Sequence, residues 1–288
     1  LIDLLISGEL GVLRCFFRGA AIASLCALIC EFRSCLLFGL RDILILMHCD
    51  AFFRPGWDML RRFLKYATPV IANETAWGLG NSLLTVVLGY TDNSVEMLAA
   101  NAVMGNLNRL FLVFCFGLGA ATAVLVGKAI GEGQSQDEVM HLSRALLRFT
   151  VVSGTVLAVV ALLTIPLLCQ PVIFPLFKLY GQSAHIATAL AATAFAAIPL
   201  HAYSISAITG VLRSGGDVVW SAALDLGPQW LVCLPLTALF ALVLKTDIWF
   251  IALAMQTECI AKIPLCAYRI RTRKWISDVT VSRRREEL

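Results

Sequence analysis

Charge is scarce in this chain. Asp, Glu, Lys and Arg make up 15% of 288 residues, against 59% hydrophobic side chains. Soluble domains average about 25% charged and about 45–50% apolar residues. The deficit argues strongly against a water-soluble globular enzyme. The few charges are also unevenly spread. Residues 149–177 hold none, and neither do residues 179–212. Runs of that length and apolarity are read as helices that cross a bilayer.

Chemical motifs are missing too. There is no P-loop, no G-x-S-x-G and no H-E-x-x-H, so no enzyme, cofactor or metal site is signalled. Without a nucleotide site, a gradient-driven carrier is expected rather than an ATP-driven pump. The ten cysteines form no C-x-x-C, which leaves neither a zinc nor a redox motif. Cys26, Cys30, Cys35, Cys115, Cys169, Cys233, Cys259 and Cys266 sit in apolar runs. They read as small buried residues of membrane helices. A net charge of +4 is too small and scattered for a nucleic-acid binder. The chain opens on Leu1 without a charged-then-apolar leader, so its start reads as truncated.

What is present is a series of apolar runs. One helix is expected at about 17–40, interrupted by Glu31 and Arg33. Residues 41–65 hold five basic residues and the turn signal Arg54-Pro55-Gly56. They read as an amphipathic cytoplasmic linker lying at the interface. Six stronger spans are expected at about 66–91, 98–126, 145–170, 184–212, 219–243 and 247–269. The expected fold is therefore an all-α membrane protein with about seven transmembrane helices. Six of them, 66–270, form one bundle, and 271–288 is a basic tail. Prolines 69, 166, 171, 199, 228, 235 and 264 interrupt these spans. They mark either broken helices lining a cavity or the ordinary tolerance of membrane helices for proline.

Lys and Arg counts set the orientation. Sixteen lie in the 41–65 linker, the 126–148 loop, the Arg213 turn and the 269–288 tail; two, Lys178 and Lys245, lie in the opposite connections. The first set is expected to face the cytoplasm. Trp57, Trp220, Trp249 and Trp275 fall near span ends and read as an aromatic belt.

Charge within a span is costly, about 2.5–3.5 kcal/mol each on insertion scales, and so marks function first. Glu74 follows Pro69 and Asn73 and is itself followed by seventeen uncharged residues. A desolvated carboxylate there could exchange protons, or hold sodium or a cationic substrate with the Asn73 oxygen beside it. Alternatively it snorkels to the interface. Asp225 opens a nineteen-residue uncharged run and reads as a second coupling carboxylate or a helix cap. Asp217, after Gly215-Gly216, is expected to cap the next helix. Glu258 and Lys262 stand i, i+4, the favoured order for a same-face ion pair. Arg109 is expected to pair with a carboxylate from another helix. His201, Tyr203, Ser204, Ser206 and Thr209 either line a cavity or bond their own helix backbone.

Several stretches together resemble the multidrug and toxic compound extrusion (MATE) family. FLKYATPVIANETAWGLG (63–80) is similar to the opening of its seventh helix. AVLVGKAIGEG (123–133) is similar to the end of its eighth helix and the following loop. GVLRSGGD (210–217), with Asp225, Trp230 and Pro235, resembles its tenth-to-eleventh helix turn. Glu258 through RIRTRKW (269–275) resembles its C-terminus, and GAAIAS (19–24) its sixth helix.

The resemblance implies export of organic cations by antiport with H+ or Na+, from a chain holding the sixth helix and the C-terminal lobe only. Glu74 is then the first coupling candidate, with Asp225 and Asn73, and Asp217, Tyr203, Arg109 and Glu258 weaker. Expected partners are the lipid bilayer, a small organic cation and the N-terminal lobe or a partner supplying it. The expected location is a bacterial-type plasma membrane, with the C-terminal tail cytoplasmic. Two alternatives stand beside this. One is a lipid-linked oligosaccharide flippase, which needs a strongly basic cavity. The other is a non-transporting half-length membrane protein that needs a partner lobe.

Overall fold

The computed structural model describes residues 25–34, 37 and 56–276. Most of the expected 41–65 linker and the tail from 277 onward lie outside the described residues. The chain divides into two units, Leu1–Phe63 and Leu64–Leu288. In the first, residues 25–34 and 37 are helical, with Leu28, Ile29 and Phe32 exposed.

The regular structure among the described residues is helical, without strands. The helices are α1 (Trp57–Gly89), α2 (Ser94–Gly131), α3 (Gln136–Leu176), α4 (Gln182–Ala196), α5 (Ile198–Leu212), α6 (Val218–Val243) and α7 (Ile248–Arg271). Four of them, α2, α3, α6 and α7, are long and apolar enough to cross a membrane. The α4–α5 pair is bent by 46° and makes a fifth such span. The run expected as one span over 184–212 is thus two helices meeting at Ala197, with Pro199 in the first turn of the second. α1 is long enough, at 33 residues, but is not among the apolar spans. Asn73, Glu74, Asn81, Ser82 and Thr85 make it a polar-faced helix.

Wide π turns accompany several prolines. Pro166 and Pro171 lie in the segment Ile165–Ile173 of α3. Pro228 directly precedes Gln229–Cys233 in α6, and a second π segment, Leu239–Val243, follows Pro235. Proline has no N–H to give and its ring crowds the carbonyl four residues back. A turn that reaches five residues back accommodates this.

Helix contacts rest on small residues, as in other membrane bundles. At Gly154 of α3, a Cβ would lie 2.8 Å from Ala202 Cβ and 3.1 Å from Pro199 Cα of α5. At Gly210 of α5, a Cβ would lie 2.8 Å from Thr122 Cβ of α2. One apolar core gathers around Phe195, Ile198, Cys115 and Ala191, and another around Trp275, Leu212, Met140 and Val126. Large apolar side chains such as Val152, Val156 and Leu163 on α3 are exposed, as a lipid-facing surface requires.

Trp275 departs from the aromatic-belt expectation. It is fully buried, donates its Nε1–H to the Ile270 carbonyl at 3.1 Å, and packs on Gly215. Trp57, Trp220 and Trp249 are exposed as a belt requires.

Candidate functional site

Five charged residues and one amide of the bundle converge on one place. α1 brings Asn73 and Glu74, α6 brings Asp225, the α5–α6 turn brings Arg213, and α7 brings Glu258 and Lys262. Asn73 is buried and donates through Nδ2 to Asp225 Oδ2 at 2.9 Å, and more weakly to Glu74 Oε1 at 3.5 Å. Arg213 Nη1 donates to Glu74 Oε1 at 3.1 Å, while Nη2 lies 3.7 Å from Asp225 Oδ2. Lys262 Nζ lies 2.7 Å from Asp225 Oδ1 and also pairs with Glu258 Oε1. Three carboxylates thus face two cations, leaving one negative charge in excess. Asn73 Oδ1 is buried and has no hydrogen-bond partner among the described residues. A neutral oxygen next to an excess of carboxylate is a donor set suited to a hard monovalent cation or a proton.

The cluster is graded in exposure. The Lys262 side chain is 6% exposed, Asp225 17% and Glu74 57%. Glu74 is thus the most exposed of the three carboxylates. In this chain the buried position belongs to its neighbour Asn73, and Glu74 looks outward from α1. The expected Glu258–Lys262 pair is formed, but Lys262 also reaches α6, which helical spacing cannot reveal.

Asp217 occupies the expected N-cap position of α6 without a side-chain capping bond. Its Oδ2 instead accepts from Arg269 Nε at 2.6 Å, and that guanidinium lies 4.8 Å over the Trp220 ring. The ion pair outcompetes the neutral cap because both partners are largely withdrawn from solvent. Arg109 is exposed and has no ion pair among the described residues, contrary to the expected partner. Tyr203 is half-buried. Ser204 and Thr209 bond carbonyls of their own helix, His201 at 3.1 Å and Ile205 at 2.6 Å. Ser206 Oγ is buried without a partner among the described residues. His201 Nε2 is 3.3 Å from Gln256 Oε1.

Two contributors were not apparent from sequence. Arg213 reads as a loop cation for orientation, yet it bridges Glu74 and Asp225. Gln229, fully buried in an apolar run, donates through Nε2 to the Trp77 carbonyl at 3.1 Å. This holds α6 against α1 where Gly80 leaves room for the amide. The signal was a lone amide directly after Pro228.

A family model described as MatE matches residues 69–239, which include Asn73, Glu74, Arg213 and Asp225. The chain belongs to the MATE family. It is an integral, multi-pass membrane protein. No curated protein sequence matches it. Among solved structures, a eukaryotic MATE transporter, AtDTX14, is similar with a TM-score of 0.77 at 16% identity, over 99% of this chain and 61% of that one. A MATE in complex with MaL6 is similar with a TM-score of 0.73 at 18% identity, over 94% and 60%. An outward-facing multidrug resistance MATE family transporter of the MOP superfamily gives 0.64 at 16% identity, over 76% and 47%. These likenesses establish the fold. The chain spans between 47% and 61% of the length of these three MATE relatives.

Proposed function

We propose that this chain is part of a secondary transporter that exports small organic cations in exchange for H+ or Na+. The observation that carries the reading is the meeting of Asn73 and Glu74 with Asp225 across 152 positions of sequence. In this reading the excess negative charge binds one monovalent ion, and an organic cation competes for the same carboxylates. Exchange of one monovalent ion for one singly charged organic cation moves no net charge, so the ion's concentration gradient drives it: a tenfold gradient supplies about 1.4 kcal/mol, enough for roughly a tenfold substrate ratio.

The outward-looking Glu74 supports the further proposal that a second lobe, on a longer chain or a partner, completes the substrate cleft against α1. Residues 66–270 are then one lobe. The bias of basic residues supports a cytoplasmic tail; a bacterial-type plasma membrane is part of the same proposal. Arg213 and Lys262 are both engaged by carboxylates, so the cluster offers no free positive charge to a phosphate-bearing lipid. That weighs against a lipid-linked oligosaccharide flippase.

The test is competition binding on the purified chain in lipid nanodiscs. Radiolabelled sodium and proton uptake are measured with and without tetraphenylphosphonium. The expected result is ion binding that the organic cation displaces and that Asp225→Asn abolishes. Ion binding indifferent to Asp225→Asn, or none at all, overturns the reading.

A further inference from the structure

We infer that Lys262 is a built-in cation that competes with the transported ion for Asp225, and that Glu258 holds it when the ion is bound. The inference rests on the role proposed above for Asp225.

Lys262 is the most deeply placed charge of the cluster, on α7 between two carboxylates. An ammonium inside a bilayer persists only when paired. Here it has two partners of different kinds. Glu258 stands four residues earlier on the same helix, so the two travel together. Asp225 stands on α6 and divides its oxygens. Oδ1 receives Lys262, while Oδ2 turns to Asn73 and Arg213, the side where Glu74 is exposed.

A lysine carries a compact charge on a flexible stem. When an ion reaches Asp225, Lys262 can withdraw to Glu258 and remain neutralised. When the ion leaves, Lys262 returns. No buried charge is left unpaired at either stage, which is the costly outcome for buried ion pairs. Lys262 is thus a positioning residue for the ion site. The other titratable groups within electrostatic reach of the trio are Glu74, Arg213, His201, Cys233, Cys259 and Cys266.

The two single variants distinguish this from a static structural pair. Lys262→Met removes the competitor, so ion binding at Asp225 should tighten by about tenfold, the equivalent of roughly one pKa unit. Glu258→Gln leaves Lys262 dependent on Asp225, so binding should weaken by about as much. A structural pair predicts weakening in both. The double variant E258Q/K262M should return close to the wild-type affinity.

The measurement is sodium binding to the whole chain in nanodiscs, with proton uptake alongside. If the ion is a proton, Lys262→Met raises the uptake midpoint and Glu258→Gln lowers it. Should Lys262→Met not fold, E258Q against E258Q/K262M reads the same charge, and the second should bind more tightly. Shifts in the same direction, or none, overturn the inference while leaving the Asp225 site standing. Wild-type binding that is absent or insensitive to Asp225→Asn overturns both.

Discussion

Asn73 on α1 donates a 2.9 Å hydrogen bond to Asp225 on α6, and through it a neutral amide ties together the two helices that carry Glu74 and Asp225. The amide has a second duty. Its Oδ1 is left buried and unpaired among the described residues, a neutral acceptor on the residue whose Nδ2 holds Asp225.

Asn73→Ala should therefore cost more than a surface truncation. It removes a donor to a largely buried carboxylate, a bond class worth about 1.5–3 kcal/mol. Thermal unfolding in nanodiscs should show that loss. Added ion should restore less stability to the variant than to the wild type, because the site has lost an oxygen as well.

Asp217 and Asp92 offer a contrast in ion-pair strength. Asp217–Arg269 has side-chain exposures of 11% and 15%, whereas Asp92–Lys245 has 71% and 61%. Asp217→Asn should destabilise by about 1.5–3 kcal/mol, leaving the largely buried Arg269 without its counter-charge. Asp92→Asn should cost at most about 1 kcal/mol. Parallel melting curves of the two variants check the ranking; equal losses would mean that burial does not set it.

Gly154→Val should separate α3 from α5. The added Cβ meets Ala202 Cβ at 2.8 Å and the Pro199 backbone at 3.1 Å, and backbone cannot yield as a side chain can. A loss of about 1–3 kcal/mol is expected from overpacking, read as a lowered unfolding midpoint.

Gly215→Ala should dislodge Trp275. A Cβ would lie 2.3 Å from Trp275 Cε3 and 2.5 Å from its carbonyl oxygen. The indole is fully buried in the wild type. Its exposure in the variant should increase acrylamide quenching of tryptophan fluorescence, with a stability loss of about 1–3 kcal/mol. Trp275→Phe in the same background should remove the extra quenching.

Much of the fold was legible because membrane helices announce themselves by uncharged length. Residues 98–126, 145–170 and 219–243 each fall within a helix, and 247–269 does so from Ile248 on, with Asp247 as the N-cap. The helix expected over 66–91 is present as part of Trp57–Gly89, and it is the one whose residues disagree among themselves. α1 continues as a helix through Asn73, Glu74 and Asn81, while its apolarity falls short of its neighbours. The bend at Ala197 was signalled by Pro199, though not its angle.

At the site, Glu74, Asp225 and Asn73 stood out as polar groups in apolar runs, and Glu258–Lys262 by spacing. Local patterns say nothing of pairing across helices. Lys262 with Asp225, Arg213 with Glu74, and Arg269 with Asp217 are all such pairs. Asp217 shows the same limit from the other side. A capping residue in the right position serves an ion pair once tertiary contacts bring an arginine near.

The two π segments of α6 lie between Asp225 and the far end of that helix. Each stores slack in the winding of the chain. Tightening one of them to α geometry, with the sequence unchanged, adds about 100° of rotation per residue taken up. One end of α6 would then turn against the other and shift along its axis by about 1.5 Å per residue. The winding of these two segments therefore sets both the direction in which Asp225 faces Lys262 and its distance along the axis from Val243.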